Sequence, residues 1–228
     1  ISGNGIMTGE GRDRDVNGDK WWKAAPGQAA AGNKIENCLV TKCGQQFSGA
    51  VGIWCGLTAE TVIRGNEICD LPYTGISIGW MWSPVPTPCR ANTINDNHIH
   101  HIMKVLSDGG GIYMLGLQPG SQIRGNRIHD VSVNAGRAES NGMFLDEGTT
   151  DVEVVNNLIY NIAKSPLRFH KATTNLVKGN YLFCKAGVPP VRYNNTKEED
   201  IKKVGNRIFT EKDPDFKIEL DKAIMRWE

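Results

Sequence analysis

The 228-residue chain lacks the marks of several protein classes. Its six cysteines (Cys38, Cys43, Cys55, Cys69, Cys89 and Cys184) contain no Cys-x-x-Cys pair, which removes a zinc-ribbon framework. Several fall at strand positions where a thiol packs as a small hydrophobe, so free thiols are expected. Neither sign of charge dominates: 26 basic and 25 acidic residues leave a net charge of +1. That balance gives no electrostatic footprint for nucleic acid or an anionic membrane surface. No apolar run approaches the roughly 18 residues of a membrane span, and mean hydropathy is −0.36. Neither nucleic acid nor membrane is expected as a partner. Gly109-Gly110-Gly111 lacks the spacing of a phosphate loop, which argues against nucleotide binding. No Met or signal peptide precedes Ile1, which already sits inside a repeat, so a piece of a longer chain is expected.

What the chain does have is repetition. The pattern apolar-x-Gly/polar-Asn-x-Ile/Leu recurs with its asparagine at Asn4, Asn37, Asn66, Asn97, Asn126, Asn157, Asn180 and Asn206, the Asn37 copy being one residue short. The spacings are 33, 29, 31, 29, 31, 23 and 26 residues. A unit of two short strands joined at a bend cannot bury its own apolar face. Stacked units can, with Ile, Leu and Val columns forming a continuous core. Asparagine side chains at the bend can hydrogen-bond the coils above and below. The expectation is an all-β fold: a single-stranded right-handed parallel β-helix of about seven to eight coils. A leucine-rich horseshoe is disfavoured by the missing Leu-x-x-Leu-x-Leu framework.

A second strand follows several copies: Gly52-Ile-Trp-Cys55, Gly75-Ile-Ser-Ile78, Gly111-Ile-Tyr-Met114, Gly142-Met-Phe-Leu145 and Pro166-Leu-Arg-Phe169. Period two sends Ile53, Ile76, Ile78, Ile112, Met114, Met143, Leu145, Leu167 and Phe169 inward. It sends Trp54, Ser77, Tyr113, Phe144, Asp146, Arg168 and His170 outward. The longer coils carry loops, notably Trp80 to Pro88 and Val131 to Ser140, which on one face of a solenoid build a binding surface. Residues 9–32 read as an insertion within one domain spanning 1–228, and residues 195–228 as a last coil and a short C-terminal cap over the open end of the core.

Registering Gly111 on Gly142 places Asp108 and Glu139 at the same position on successive coils, about 4.8 Å apart. Two carboxyls so close cannot both ionise freely, and a raised acid beside a carboxylate is what glycosidic cleavage requires. Asp146 and Glu147 lie toward the other end of the strand, with His170 over Asp146 and Arg168 over Phe144. Strand geometry separates the two acidic pairs by roughly 13 Å unless the loop before Gly111 folds across the face. The alternative for Asp108 is a turn residue capping backbone amides, and for Asp146-Glu147-Gly148 a strand-ending turn. The catalytic candidates are Asp108, Asp146, Glu147 and Glu139. The substrate-binding candidates are Tyr113, Phe144, His170, Arg168, Trp80, Trp82 and His101. His98-Ile-His-His101 suggests a metal site, but stacking into a Glu67/His98/Arg127 column and a Cys69/His100/His129 column is the plainer account, and no metal is expected there.

The segments Ser107-Asp-Gly-Gly-Gly-Ile-Tyr113 and Phe144-Leu-Asp-Glu-Gly148, joined by Ile123-Arg-Gly-Asn-Arg-Ile-His-Asp130, resemble bacterial parallel β-helix glycoside hydrolases, with β-xylosidase-like and α-L-fucosidase/xylanase-like members. The resemblance spans about residues 33–185, and its repeat part is shared with the pectate-lyase-like superfamily. It implies cleavage of a poly- or oligosaccharide by an Asp/Glu pair, Asp108 with Asp146 or Glu147, without a cofactor, in an extracellular or periplasmic setting. Such enzymes normally have further coils before this point, and often a β-sandwich insertion. The alternatives are a polysaccharide lyase, with Arg168, His170 and Lys171 or Ca²⁺ neutralising a uronate, and a non-catalytic carbohydrate-binding β-helix.

Overall fold

A computed structural model describes residues 2–132, 136 and 138–227. Within the loop expected from Val131 to Ser140, residues 133–135 and 137 lie outside the described set. The chain winds into a parallel β-helix with three faces. The first face stacks Ile6–Thr8, Ile53–Cys55, Ile76–Ile78, the start of Gly109–Arg124, the start of Ser140–Val155, Leu167–His170 and Val191–Asn194. The second stacks Lys34–Glu36, Val62–Arg64, Thr93–Asn95, the ends of the same two long strands, Asn175–Lys178 and Ile201–Val204. The third runs from Leu39–Thr41 to Arg207–Thr210 through Glu67–Cys69, His98–Ile102, Arg127–Val131, Leu158–Ile162 and Tyr181–Cys184. The two long strands turn the corner between the first two faces at register shifts near Leu115 and Leu117.

The inward columns follow the two-residue period. Ile53, Ile76, Ile78, Met114, Met143, Leu145, Leu167 and Phe169 are fully buried, and Ile112 nearly so. Ile63, Ile94, Ile123 and Val154 form the core column of the second face, and Ile68, Ile99, Ile128 and Ile159 that of the third. Glycine precedes the first-face strands because neighbouring coils meet there. A Cβ on Gly111 would lie 2.6 Å from Ile128 Cγ2 and 2.8 Å from the carbonyl oxygen of Gly142.

The asparagine ladder closes the bend between the second and third faces. Nδ2 of Asn66, Asn97, Asn126, Asn157 and Asn180 donates to Oδ1 of the asparagine on the following coil, at 2.9–3.0 Å. The same oxygens accept the backbone N–H of the preceding coil's asparagine. Two expected rungs fall elsewhere. Pairing of Glu36 with Arg64 and of Leu39 with Glu67 puts Cys38, not Asn37, opposite Asn66. The Cys38 N–H donates to Asn66 Oδ1 at 3.0 Å. Asn37 instead takes the left-handed bend position (φ 54°) held by Gly65 and Asp96 on later coils. Asn4 precedes a first-face strand, and its Oδ1 accepts from the Val51 N–H.

The insertion forms a two-stranded hairpin (Asp15–Val16 with Asp19–Lys20) and a short helix, Trp21–Ala24. Its Trp21 is fully buried against Leu57, Met81 and Cys89. The C-terminal helix, Phe216–Trp227, covers Leu158, Tyr160 and Phe183 on the outside of the third face rather than the end of the coil stack. On the last coil Ile208 stays 47% exposed. All six cysteines are free, and burial pushes the thiols of Cys55 and Cys184 up to about 12. No helix among the described residues is long and apolar enough to cross a membrane.

Candidate active site on the first face

The outward column of the first face reads Met7, Trp54, Ser77, Tyr113, Phe144, Arg168 and Arg192, one residue per coil. Met7 and the rings of Trp54, Tyr113 and Phe144, with Ser77 among them, come first and two arginines last, so the face grades from a ring-lined cleft into a polar cluster. The cleft, about 260 Å³, is walled by Trp54, Tyr73, Ser77, Trp80, Trp82 and Tyr113. Trp80 packs against Trp54 and Trp82 at centroid distances of 5.5 and 5.1 Å, and its indole N–H donates to Ser77 Oγ at 3.0 Å. Exposed rings with a few fixed polar groups are what a sugar-binding surface needs.

At the polar end Asp146 is 6% exposed. Its Oδ2 accepts from the Tyr113 hydroxyl at 2.6 Å, and its Oδ1 meets His170 Nδ1 at 2.7 Å. Asp146 is the last residue in simple register with the neighbouring coil (opposite Leu115) before the corner, where register shifts commonly re-aim side chains. Thr149 fixes the corner by donating to the Asp146 carbonyl at 2.6 Å. Glu147, at φ 25°, turns to Lys171, whose Nζ donates to both its oxygens at 2.8 and 3.1 Å. Trp80 also sits at φ 25°, so strained non-glycine backbone brackets the face.

Asp108 joins this cluster. Its backbone pairs with Glu139 as the register requires, its N–H donating to the Glu139 carbonyl at 3.2 Å. The side chains, however, part. Asp108 adopts φ 67°, which breaks the alternation of the strand, and its carboxylate lies 3.7 Å from Arg168 Nη1. Glu139 pairs with Arg192. The side chains of Asp108 and Glu139 therefore do not meet as stacking register alone would have them. Burial, then the charge of Asp146, pushes the Asp108 carboxyl up from the ordinary carboxylate value, against the opposing pull of Arg168 and His170. The Asp108 side chain is itself 60% exposed, so its protonation remains open to solvent. The roughly 13 Å gap set by strand geometry does not keep the two acids electrostatically apart.

Other candidates move as well. Phe144 points outward but is only 1% exposed, because Arg168 lies 4.1 Å over its ring and Tyr113 packs on its edge. It supports Arg168 and offers no face to a ligand. His101 belongs to the third face, where its Nδ1 meets His100 Nδ1 at 2.7 Å, and it takes no part in the cleft. Tyr73 and Trp54 are additions to the site. Tyr73 donates to the Asp108 carbonyl at 2.7 Å and, like Tyr113, has its hydroxyl pushed up mainly by burial. Both were within reach of the register rule, Trp54 as the column neighbour of Ser77 and Tyr73 as the residue two before Gly75.

Asp146, Glu147 and His170 bring three donor atoms within 4.8 Å of one another. Imidazole is foreign to the all-oxygen shell that Ca²⁺ prefers, and the three are already engaged with Tyr113 and Lys171. A larger cavity, about 380 Å³, lies beside Asp96, His98, Arg127 and Trp227, and among the described residues a single acid lines it.

One solved structure, of a glycoside hydrolase, shares this fold with a TM-score of 0.60 at 22% sequence identity, over 98% of this chain and 32% of that one. The chain thus spans about a third of that enzyme's length. No curated protein matches it by sequence. The model of the right-handed β-helix region matches residues 24–159, more than half of the chain and most of its coils. The chain belongs to the right-handed β-helix family.

Proposed function

We propose that this protein is a glycoside hydrolase acting on a poly- or oligosaccharide, with Asp108 as general acid and Asp146 as its carboxylate partner. The observation that carries this reading is the convergence of Asp108 and Asp146, from neighbouring coils, on Arg168 and His170 beside a tryptophan-lined cleft. The likeness in fold to a glycoside hydrolase agrees with it.

In this mechanism sugar rings stack in the Trp54, Trp80 and Trp82 cleft and place the scissile bond near Tyr113. Protonated Asp108 gives its proton to the leaving oxygen as the bond to the anomeric carbon breaks. Arg168 then stabilises the new Asp108 carboxylate, and Asn194 holds the guanidinium by accepting from Nε at 3.1 Å. Asp146, whose two oxygens accept hydrogen bonds from Tyr113 and His170, is assigned as the general base that holds a water. That water loses its proton to Asp146 as its oxygen adds to the anomeric carbon, so the expected product has inverted stereochemistry.

Asp108→Asn and Asp146→Asn are the test, assayed for reducing ends released from a panel of plant and microbial oligosaccharides, with product anomers followed by nuclear magnetic resonance. Loss of turnover in both, with unchanged circular dichroism, supports the assignment. Full turnover in both overturns it. A product absorbing in the ultraviolet as an unsaturated uronate replaces hydrolysis with elimination, the reaction that Arg168, His170 and Lys171 would serve.

A further inference from the structure

We propose a divalent transition-metal site on the third face, separate from the cleft, with Glu67, Cys69 and His100 as ligands and water completing the shell. Parallel register sets Cys69 opposite His100, and Glu67 lies two residues before Cys69 on the same side of its strand. A carboxylate oxygen of Glu67, the sulfur of Cys69 and a ring nitrogen of His100 come within 4.8 Å of one another. Rotation of the exposed Glu67 side chain closes the remaining gap to the roughly 2.0–2.3 Å bonds of a tetrahedral zinc site.

The surroundings supply a second, independent reason. Metal-bound histidines usually have their other nitrogen held by a neighbour that fixes tautomer and ring orientation. His100 Nδ1 is 2.7 Å from His101 Nδ1, and His101 Nε2 is 3.7 Å from Asp130 Oδ2. This chain of Asp130, His101 and His100 leaves His100 Nε2 directed at Glu67 Oε1, 3.3 Å away. The Cys69 thiol donates to Thr41 Oγ1 at 3.5 Å, and metal binding releases that proton as the sulfur becomes a thiolate ligand. One sulfur, one imidazole and one carboxylate select zinc, cobalt or a similar ion over Ca²⁺ and Mg²⁺. Side-chain exposures of 52% for Glu67 and 15% for His100, beside a buried Cys69, give an ion a path in and water a coordination position.

Histidine clustering alone does not define the site. His98 Nε2 is directed at His129 Nε2, 2.7 Å away, and His129 Nδ1 at Asp130, so the His98-Ile-His-His101 run contributes one ligand and one orienting residue. The ion would tie two coils together on a different face from the proposed carbohydrate chemistry, and the assignment does not depend on that chemistry.

Cobalt titration of the purified, metal-stripped full chain tests the proposal. A stoichiometry of one, with tetrahedral visible bands and a thiolate-to-cobalt charge-transfer band, is expected. Cys69→Ser should abolish the charge-transfer band, His100→Ala and Glu67→Ala should weaken zinc affinity at least tenfold, and His101→Ala about tenfold or more. His98→Ala should leave affinity within twofold. Glu67 is exposed, so Glu67→Ala keeps the test decisive should Cys69→Ser fail to fold. Binding without a thiolate band, equal affinity in Glu67→Ala, or loss of binding in His98→Ala would each overturn the assignment.

Discussion

The asparagine ladder and the Asp108–Asp146 cluster are built by the same stacking and reach opposite states. In the ladder each coil repeats one residue, and the buried Asn97, Asn126 and Asn157 have both their side-chain nitrogen and oxygen bonded. On the first face successive coils present Ser77, Tyr113, Phe144 and Arg168 at one position, and two acids are left sharing one neighbourhood. Identical residues in register give complementarity and rigidity. Different residues in register give a place where charge is unevenly satisfied, and the proposed acid–base chemistry is assigned there for that reason.

The largest expected effects come from exchanging the roles of these regions. Asp146→Asn should lower the turnover rate by about 10²–10⁴-fold while leaving thermal stability nearly unchanged. Asn126→Ala should do the reverse. It strands the Asn97 N–H and the Ile94 carbonyl inside the stack, a loss of roughly 1–3 kcal/mol for each buried group left without a partner. A calorimetric melting point well below that of the parent protein, with the turnover of the folded fraction kept, is the expected pair of results. A stable Asn126→Ala chain would remove the ladder as the source of rigidity.

That contrast also explains how much of the molecule was legible in the sequence. Ladder and core columns recur in every coil, so period and register place Ile63, Ile94 and Ile123 without knowledge of the loops. Asn37 fails because the bend of its coil has the full length and puts Cys38 at the ladder position, so a cysteine backbone caps the ladder and Asn37 falls one residue early. Stacking register alone sets Asp108 beside Glu139, whereas the family resemblance sets it with Asp146 or Glu147. Register fixes where an α-carbon sits along the stack, whereas Asp108 at φ 67° turns its carboxylate toward Arg168, which arrives from two coils further on. His101 does not join the cleft, because it lies within the strand His98–Ile102, which stacks on the third face.

A moderate effect separates Arg168 from a merely structural residue. A general acid must be protonated, so activity is present below the pKa of Asp108 and lost as pH rises through it. Arg168 pulls that value down, against burial and the charge of Asp146. Arg168→Gln should therefore move the alkaline limb of the kcat/KM profile to higher pH, and Arg168→Lys should return it toward the parent position. A limb that stays in place in Arg168→Gln would break the link between Asp108 and Arg168.

The smallest expected effect decides which acid is the partner of Asp108. Glu139 occupies the matching position on the next coil, and stacking alone makes it the natural source of repulsion. Arg192 takes its carboxylate away, and the charge that raises Asp108 comes from Asp146. Glu139→Gln should consequently leave the alkaline limb where it is, with only a minor loss of stability from the broken ion pair. Were the limb instead to fall toward the ordinary carboxylate range in Glu139→Gln, the two stacked acids would be sharing a proton after all, and Asp146 would revert to a residue that positions Tyr113 and His170.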